Sequence, residues 1–209
     1  TLFITLLAAL NVLLHRYSGQ QDICVGSPIA NRSQQEVEGL VGFFLNTLAL
    51  RNQVSGKASF TALLQQVRAT ALEAYNHQDV PFEKVVEAVV KERDMSRSPL
   101  FQVMLALQNK TDAPAFHLGE VQLSSDTFTT NNSKFDITFN ISNTEEGLKG
   151  SVEYSTDLYN TVTIDRMTHH FRQLLGAIVK APLQSIGTLP MLNNRDKHQL
   201  LVEFNHKKV

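Results

Sequence analysis

The sequence predicts an α/β fold, a two-layer sandwich in which helices cover a mixed, largely antiparallel sheet. Apolar residues recur every three or four positions over residues 59–76 and again from Thr161, a spacing typical of amphipathic helices. Residues 101–108 and 135–141 instead show a period of two, which is typical of strands. A chain of 209 residues that is 43% hydrophobic can bury one sizeable core or form two small domains.

The first segment predicts a buried helix. Residues 1–14 are predominantly apolar on every side, yet at about 1.5 Å of rise per residue this run is too short to span a bilayer. His15 and Arg16 follow the run, whereas a secretory signal carries its basic residues first. Because residue 1 already lies at the edge of the helix with no cap before it, we expect the chain to belong to a longer protein.

Two buried strands, residues 22–28 and 42–54, are expected next, with the polar loop 30–38 between them. They lead into the helix over residues 59–76. Its apolar stripe consists of Phe60, Leu63, Leu64, Val67, Ala71, Ala74 and Tyr75. This helix is therefore expected to pack by one face.

A second, shorter helix is expected over residues 81–90. Pro81 is at a first-turn position where proline is tolerated, and Asp79 and Glu83 lie near the positive end of the helix dipole. The same helix-start chemistry explains Asp79 and Pro81 without catalysis. We therefore interpret His77 and Asp79 as structural, and the alternative is an acid and base pair.

The second half of the chain predicts strands followed by helices. A turn-rich stretch after residues 135–141 leads to residues 148–155, which predicts an antiparallel hairpin. The helix from Thr161 and an amphipathic piece over residues 195–204 complete the chain. One face of the strand predicted over residues 101–108 is expected to carry Phe101, Val103, Leu105 and Leu107. One face of the helix from Thr161 is expected to carry Ile164, Met167, Phe171, Leu174, Leu175 and Ile178.

Composition disfavours several classes of partner. The 19 basic residues nearly balance the 20 acidic ones, so no overall field attracts nucleic acid or an anionic membrane. The only cysteine, Cys24, has apolar neighbours, which indicates a buried, unreactive thiol in a reducing compartment, and we expect the cytoplasm. Neither a metal-ligand pattern nor a glycine-rich phosphate loop is present in the sequence.

Three motifs follow one another, VGFFLNTLALR at 41–51, NHQDVPFE at 76–83 and RDMSRSPLFQVML at 93–105. In order and spacing they resemble the last three signature motifs of condensation domains from nonribosomal peptide synthetases. Those motifs read Gly-x-Phe-x-Asn-Thr, His-Gln-Asp-x-Pro-Phe-Glu and Arg-Asp-x-Ser-Arg-x-Pro-Leu-Phe-Gln. Similarity also extends through the flanking segments, so the resemblance covers essentially the whole chain.

The resemblance implies that residues 1–187 are the C-terminal lobe of a condensation domain and that residues 188–209 begin a linker toward an adenylation domain. The full domain would be a V-shaped pair of lobes, each like half of chloramphenicol acetyltransferase. Carrier proteins would deliver thioesters on phosphopantetheine arms into a tunnel between the lobes, where the acceptor amine attacks the donor carbonyl. The N-terminal lobe, peptidyl carrier proteins and the adenylation domain are thus the expected partners, and this lobe itself is expected to bind no cofactor.

The catalytic signature of the family, His-His-x-x-x-Asp-Gly, belongs to the N-terminal lobe. His169 and His170 are a similar pair, but they continue as Phe-Arg-Gln-Leu-Leu and lie within the predicted helix from Thr161. We interpret both as structural, one packed against the core and the other solvated. The resemblance therefore predicts that this chain has no catalytic residue and is inactive alone.

Three side chains are candidates for the tunnel wall: Phe44, Asn46 and Gln108. Asn46 lies among apolar neighbours, where a buried amide without hydrogen bonds would cost on the order of 1 to 3 kcal/mol. It either joins the sheet to a loop or faces the tunnel and orients a thioester or pantetheine amide. Both interpretations remain open from the sequence.

The third motif carries Arg93, Asp94 and Arg97 beside Pro99. Two guanidinium groups next to a carboxylate most often tie a loop to the body of a protein through bidentate bonds. Docking of a carrier protein on Arg93 and Arg97 is the alternative.

Two other functions compete with the condensation lobe. An epimerization domain shares the fold, but its Pro-Val-x-Phe-Asn-Tyr-Leu-Gly pattern is missing from this sequence, whereas the second and third motifs are intact. The other is a noncatalytic module that docks carrier proteins. Titration of a phosphopantetheinylated carrier protein against the chain, followed by NMR, would distinguish this docking module from the condensation lobe.

Overall fold

The computed structural model describes residues 1–32, 34–92, 94–109, 116–118, 121–123, 132–203 and 205. In chain order the elements are α1 Leu2–Ser18, β1 Asp22–Ile29, α2 Gln35–Glu38, β2 Asn46–Gln53, α3 Phe60–Asn76, α4 Phe82–Val89, β3 Val103–Asn109, β4 Phe116–Leu118, β5 Val121–Leu123, β6 Ile137–Thr144, β7 Gly147–Tyr154, α5 Thr161–Lys180 and α6 Asn194–His198. A π-helical turn, Gln199–Glu203, follows α6.

Five strands form a mixed sheet in the order β2-β1-β3-β6-β7 within the described residues, which confirms the predicted fold class. Both edge pairings, β1 with β2 and β6 with β7, are antiparallel. The two central pairings, β1 with β3 and β3 with β6, are parallel. The expectation of a largely antiparallel sheet thus applies only to the edges, because parallel neighbours need crossover connections that short-range sequence patterns do not reveal.

Helix α1 is the central element of the helical layer. It packs against α3, α5 and β1, and its residues from Leu6 to Leu13 are all buried. This burial explains why the segment is apolar on every side. Helices α3 and α5 instead bury the single stripes that their sequences predict, and each begins at a side-chain cap, Ser59 and Asn160 respectively.

Strand β2 begins at Asn46, four residues later than the sequence predicted. Its partner β1 ends at Ile29, which lies opposite Asn46, so residues 42–45 have no strand to pair with. Within the predicted polar loop, residues 35–38 form the short helix α2.

The side chain of Phe101 lies on the face of the sheet opposite to the one predicted. Its ring occupies the space where a Cβ of Gly26 would be, 2.1 Å from that position. Val25, the neighbour of Gly26, belongs to the core under the helices, and successive residues of a strand point to opposite faces. Phe101 precedes β3, which begins only at Val103, so the alternation of the strand does not fix the direction of its side chain.

The hairpin of β6 and β7 is confirmed, with Thr144 opposite Gly147 and a turn formed by Glu145 and Glu146. Gly147 adopts a φ of 112°, which favours glycine. Two short paired strands, β4 and β5, were not predicted.

The core continues into the C-terminal segment. Leu189 and Met191 are buried with the rest of the core, although they follow the predicted domain boundary at residue 187. That residues 188–209 begin a linker remains a prediction. No helix in the described part of the chain combines the length and the apolar character needed to cross a membrane.

Candidate functional site

Asn46, the first residue of β2, joins the first motif to the second. Its Nδ2 donates to the backbone carbonyls of Gln78 and Val80, each at 2.8 Å. Its Oδ1 accepts from the backbone N–H of Thr47 at 2.8 Å and from that of Phe82 at 3.1 Å. The side chain therefore fixes the turn between α3 and α4.

These contacts use the hydrogen-bonding capacity of the carboxamide, which has two donors and two acceptor lone pairs. The geometry thus matches the interpretation in which Asn46 joins the sheet to a loop. In this conformation no donor of Asn46 is left for a thioester or pantetheine amide.

The cap of helix α4 differs from the sequence expectation. Pro81 occupies the N-cap position, which has no side-chain cap hydrogen bond of its own. Asn46 Oδ1, from a different element, receives the first free N–H of the helix at Phe82 instead. Asp79 is exposed and has no hydrogen-bond partner for its side chain among the described residues, so it does not cap the helix.

His77 ends helix α3 as its C-cap residue, with its backbone N–H bonded to the carbonyl of Ala74. Its side chain is exposed, as is that of Asp79. Neither the His77 imidazole nor the Asp79 carboxylate lies in an enclosed site, so their surroundings do not favour the alternative of an acid and base pair.

The third motif forms a local turn. Asp94 accepts hydrogen bonds from the backbone N–H and hydroxyl of Ser96, at 3.0 and 2.6 Å, and pairs with Arg97 at 2.8 Å. Ser96 in the first place, and then Arg97, lower the pKa of the Asp94 carboxyl. Arg93 lies outside the described residues, so its predicted ties and docking role remain untested. The pairing of Arg97 with Asp94 is local, three residues apart, and does not tie the loop to another element.

A row of three aromatic rings links the second and third motifs. Phe101 lies 5.5 Å from Phe82 and 5.3 Å from Phe135, measured between ring centroids. Only a glycine fits beneath Phe101, at position 26 of β1. Sequence patterns did not reveal this contact, because the four residues are distant in the chain.

An open groove of about 700 Å³ lies between helix α4 and the loop before β3. Phe82 and Val86 line it from the helix, and Pro99 and Leu100 from the loop. Its charged lining residues are Glu83, Glu92, Asp94 and Arg97. Carboxylates therefore outnumber cations among the described residues of this groove, which does not favour an acidic partner.

The other two tunnel candidates have different surroundings. Phe44 is half-buried beneath Arg32, whose guanidinium carbon lies 4.2 Å from the ring centroid. Gln108 is exposed near the end of β3. Strand β1 runs parallel to β3 and antiparallel to β2. The start of β2 and the end of β3 therefore lie at the same end of the strands, and β1 separates Asn46 from Gln108.

The structure confirms that His170 is packed against the core. It is 4% exposed, and its Nδ1 lies 2.7 Å from the hydroxyl of Tyr17. Its Nε2 lies 3.3 Å from Oδ2 of Asp196 in helix α6. Burial lowers the pKa of His170, partly offset by Asp196. The neutral imidazole that results can donate from Nε2 to Asp196 and accept from Tyr17 at Nδ1.

His169, the neighbouring histidine, has a partner that the sequence did not predict. It is half-buried, and its Nε2 accepts a hydrogen bond from Nδ2 of Asn193 at 2.9 Å. Asn193 also caps α6. Both histidines thus hold the C-terminal segment, and sequence reasoning missed their partners because those partners come from other elements.

Cys24 has the properties that its apolar neighbours predict. Burial raises the pKa of its thiol to about 11, so it is almost entirely protonated at neutral pH. In the described residues, no group of three or more His, Cys, Asp or Glu side chains lies close enough together to hold a metal ion.

Comparison with solved structures defines the class of protein. A four-domain nonribosomal peptide synthetase bound to AMP and glycine superposes with a TM-score of 0.87 at 26% identity, over 94% of this chain and 16% of that one. The first condensation domain of the calcium-dependent antibiotic synthetase, solved with a substrate analogue, shares the fold with a TM-score of 0.71 at 17% identity. It is covered over 41% of its length, while 91% of this chain is matched. The fold is thus that of proteins that contain condensation domains.

Sequence comparison then identifies the family. The Condensation domain model matches residues 1–201, and the chain belongs to this family. It is 42% identical over 208 residues to gramicidin S synthase 2 of Brevibacillus brevis, and 43% identical over 205 residues to chondramide synthase of Chondromyces crocatus. These alignments cover 100% and 98% of this chain but only 5% of either synthase, so the chain spans a small fraction of its relatives.

Proposed function

We propose that this chain is the C-terminal lobe of a condensation domain and forms one wall of the tunnel in which peptide bonds are made. The observation that carries the proposal is the combination of three motifs in the family's order with a fold that accounts for 41% of a solved condensation domain. Somewhat more than half of such a domain therefore lies beyond the matched region. The N-terminal lobe, with its histidine signature, is the part we infer to be missing.

Within this function the lobe would supply positioning rather than chemistry. Asn46 fixes the turn of the second motif, and the aromatic row fixes the third motif against it. Holding two carrier-bound thioesters in line can provide much of the acceleration of such a reaction. Phosphopantetheine arms would come from carrier domains, and an adenylation domain would follow in the same cytoplasmic synthetase.

Reconstitution of dipeptide formation would test this proposal. Two carrier proteins loaded with aminoacyl thioesters are mixed with the chain alone, or with the intact condensation domain in which the N-terminal lobe precedes it. We expect dipeptidyl thioester, detected by mass spectrometry, only with the intact domain. Turnover by the chain alone would contradict the inference that it lacks the catalytic base.

Carrier docking at Arg97 is the alternative that the sequence left open, and the structure gives it little support. Asp94 already neutralises Arg97, and Glu83 and Glu92 line the adjacent groove, so this surface offers an acidic partner little attraction. NMR titration with a phosphopantetheinylated carrier should leave the signals of residues 94–97 unshifted. Specific shifts there would instead support a noncatalytic docking module.

A further inference from the structure

A cleft of about 390 Å³ lies between helix α5 and the hairpin of β6 and β7. Binding sites for small molecules commonly have volumes of about 300–1,000 Å³. The aliphatic part of its lining comes from Leu6 of α1, Leu148 and Val152 of β7, and Leu175 of α5. None of its lining residues belongs to the three sequence motifs, so binding here does not depend on the proposed function.

Two buried aromatic rings line the cleft where the sheet meets the helix. Phe139 of β6 and Phe171 of α5 pack edge to face, with their ring centroids 5.7 Å apart. Both side chains are buried, whereas Leu148 is 48% exposed. The apolar lining therefore runs from the core to the surface of the molecule.

Gly150 of β7 leaves space in the wall of the cleft. Val152 and Tyr154 pack against the core beneath the helices, so Gly150, which alternates with them along the strand, faces the same side. Apart from its chain neighbours, a Cβ at this position would have one heavy atom within 4 Å, the backbone oxygen of Asn140 at 3.7 Å. The volume that a larger side chain would fill is thus left free between β7 and α5.

The charged residues of the lining are both cationic, Lys149 and Arg172. Lys149 pairs with Glu146, its Nζ lying 2.7 Å from Oε2 of that carboxylate. Arg172 of α5 has no hydrogen-bond or ion-pair partner among the described residues. Because a guanidinium presents its N–H donors in a planar fork that matches a carboxylate, Arg172 is suited to bind an anionic head group.

We propose that this cleft binds an unbranched alkyl carboxylate, with the alkyl chain between β7 and α5 and the carboxylate on Arg172. An apolar lining that carries cations and, among the described residues, no carboxylate complements both parts of such a ligand. A polar or cationic ligand would lose its hydration here without gaining partners. The bound chain would join the edge strand of the sheet to helix α5 and so stabilise the fold.

Titration of the chain with octanoate, followed by NMR and by calorimetry, tests the site. We expect the signals of residues 148–152 and 168–175 to shift. Arg172→Gln should weaken octanoate binding at least tenfold and leave the binding of 1-octanol within twofold. Arg51→Gln is the matched control, because Arg51 is an exposed arginine paired with Asp22 at the opposite edge of the sheet. Equal octanoate affinities of the two variants would overturn the proposal.

Filling the cleft tests the position of the alkyl chain. Gly150→Leu should weaken the binding of both octanoate and 1-octanol at least tenfold, and circular dichroism shows whether this variant is folded. Unchanged affinity of the folded variant would contradict the proposed position, and Arg172→Gln decides the question if Gly150→Leu does not fold.

Two further outcomes would show that something else covers the cleft. Shifts of the β7 signals that follow protein concentration instead of octanoate would place a second copy of the chain there. The intact condensation domain should bind octanoate with the affinity of the chain, and no binding by that domain would mean that the rest of the domain closes the cleft. Either result would overturn the proposal.

Discussion

The Asn46 carboxamide forms four hydrogen bonds to backbone groups on two sides of a strand end. Two of the bonded groups, the carbonyls of Gln78 and Val80, belong to the turn before α4, and a third is the N–H of Phe82. Residues that bond several backbone groups at once fix the loops between elements. At the residue scale, the role of Asn46 in its motif is therefore to hold the turn before α4 in position.

Asn46→Ala is expected to lower the free energy of unfolding by about 2 kcal/mol, because several modest hydrogen bonds are lost together. Urea denaturation of the chain measures this change. Asp79→Ala is the matched control, since this exposed side chain lies in the same motif and should change stability by less than about 0.5 kcal/mol. Equal effects of the two substitutions would contradict the anchoring role of Asn46.

At the scale of elements, helix α6 is attached to the body through α5 and α1. His170 contacts Tyr17 of α1 and Asp196 of α6, while His169 contacts Asn193, the cap of α6. Arg166 is a further charged group near His170, on its own helix. This attachment combines a buried imidazole with a carboxylate, so it should respond to pH.

Stability is expected to fall as the pH falls below about 6.5, the ordinary pKa of histidine. Burial lowers the pKa of His170 in the folded chain, so the unfolded chain binds more protons between that lowered value and 6.5. His170→Asn should reduce the difference in unfolding free energy between about pH 7.5 and about pH 5.5. His77→Asn, at an exposed position, should preserve it. An identical pH response in the wild type and His170→Asn would exclude His170 as its source.

At the scale of the whole molecule, the described residues expose apolar surface. The clearest example is the loop of residues 39–45 before β2, where Val41 and Phe43 are exposed, and Met95 adds an exposed apolar side chain beside the groove. Large exposed patches promote self-association of isolated fragments. The chain alone should therefore form concentration-dependent oligomers.

Light scattering after size exclusion measures this association. Replacing Val41 and Phe43 together by serine should shift the chain toward the monomer. The matched control replaces Val179 and Leu183 by serine, which are 81% and 78% exposed on another part of the surface, and should change little. A monomer at every concentration would mean that the exposed loop does not drive association.

Most elements followed from local patterns. The stripes of α3 and α5, the all-round apolar character of α1 and the β6–β7 hairpin were all predicted, because period and turn chemistry act over short distances. The start of β2 and the face of Phe101 were not, since they depend on where a partner strand ends and on a glycine in another strand. Short-range patterns carry no information about such partners.

The sequence by itself determined the family, through three ordered motifs, and the presence of helices on a mixed sheet. Only the tertiary structure decided what the motif residues contact. It bonded Asn46 to the turn before α4, turned Phe44 beneath Arg32 and buried His170 against α6. The physical reason is that hydrogen bonds and ring contacts between distant segments depend on how the strands cross over, and the parallel pairings at the centre of the sheet set that arrangement.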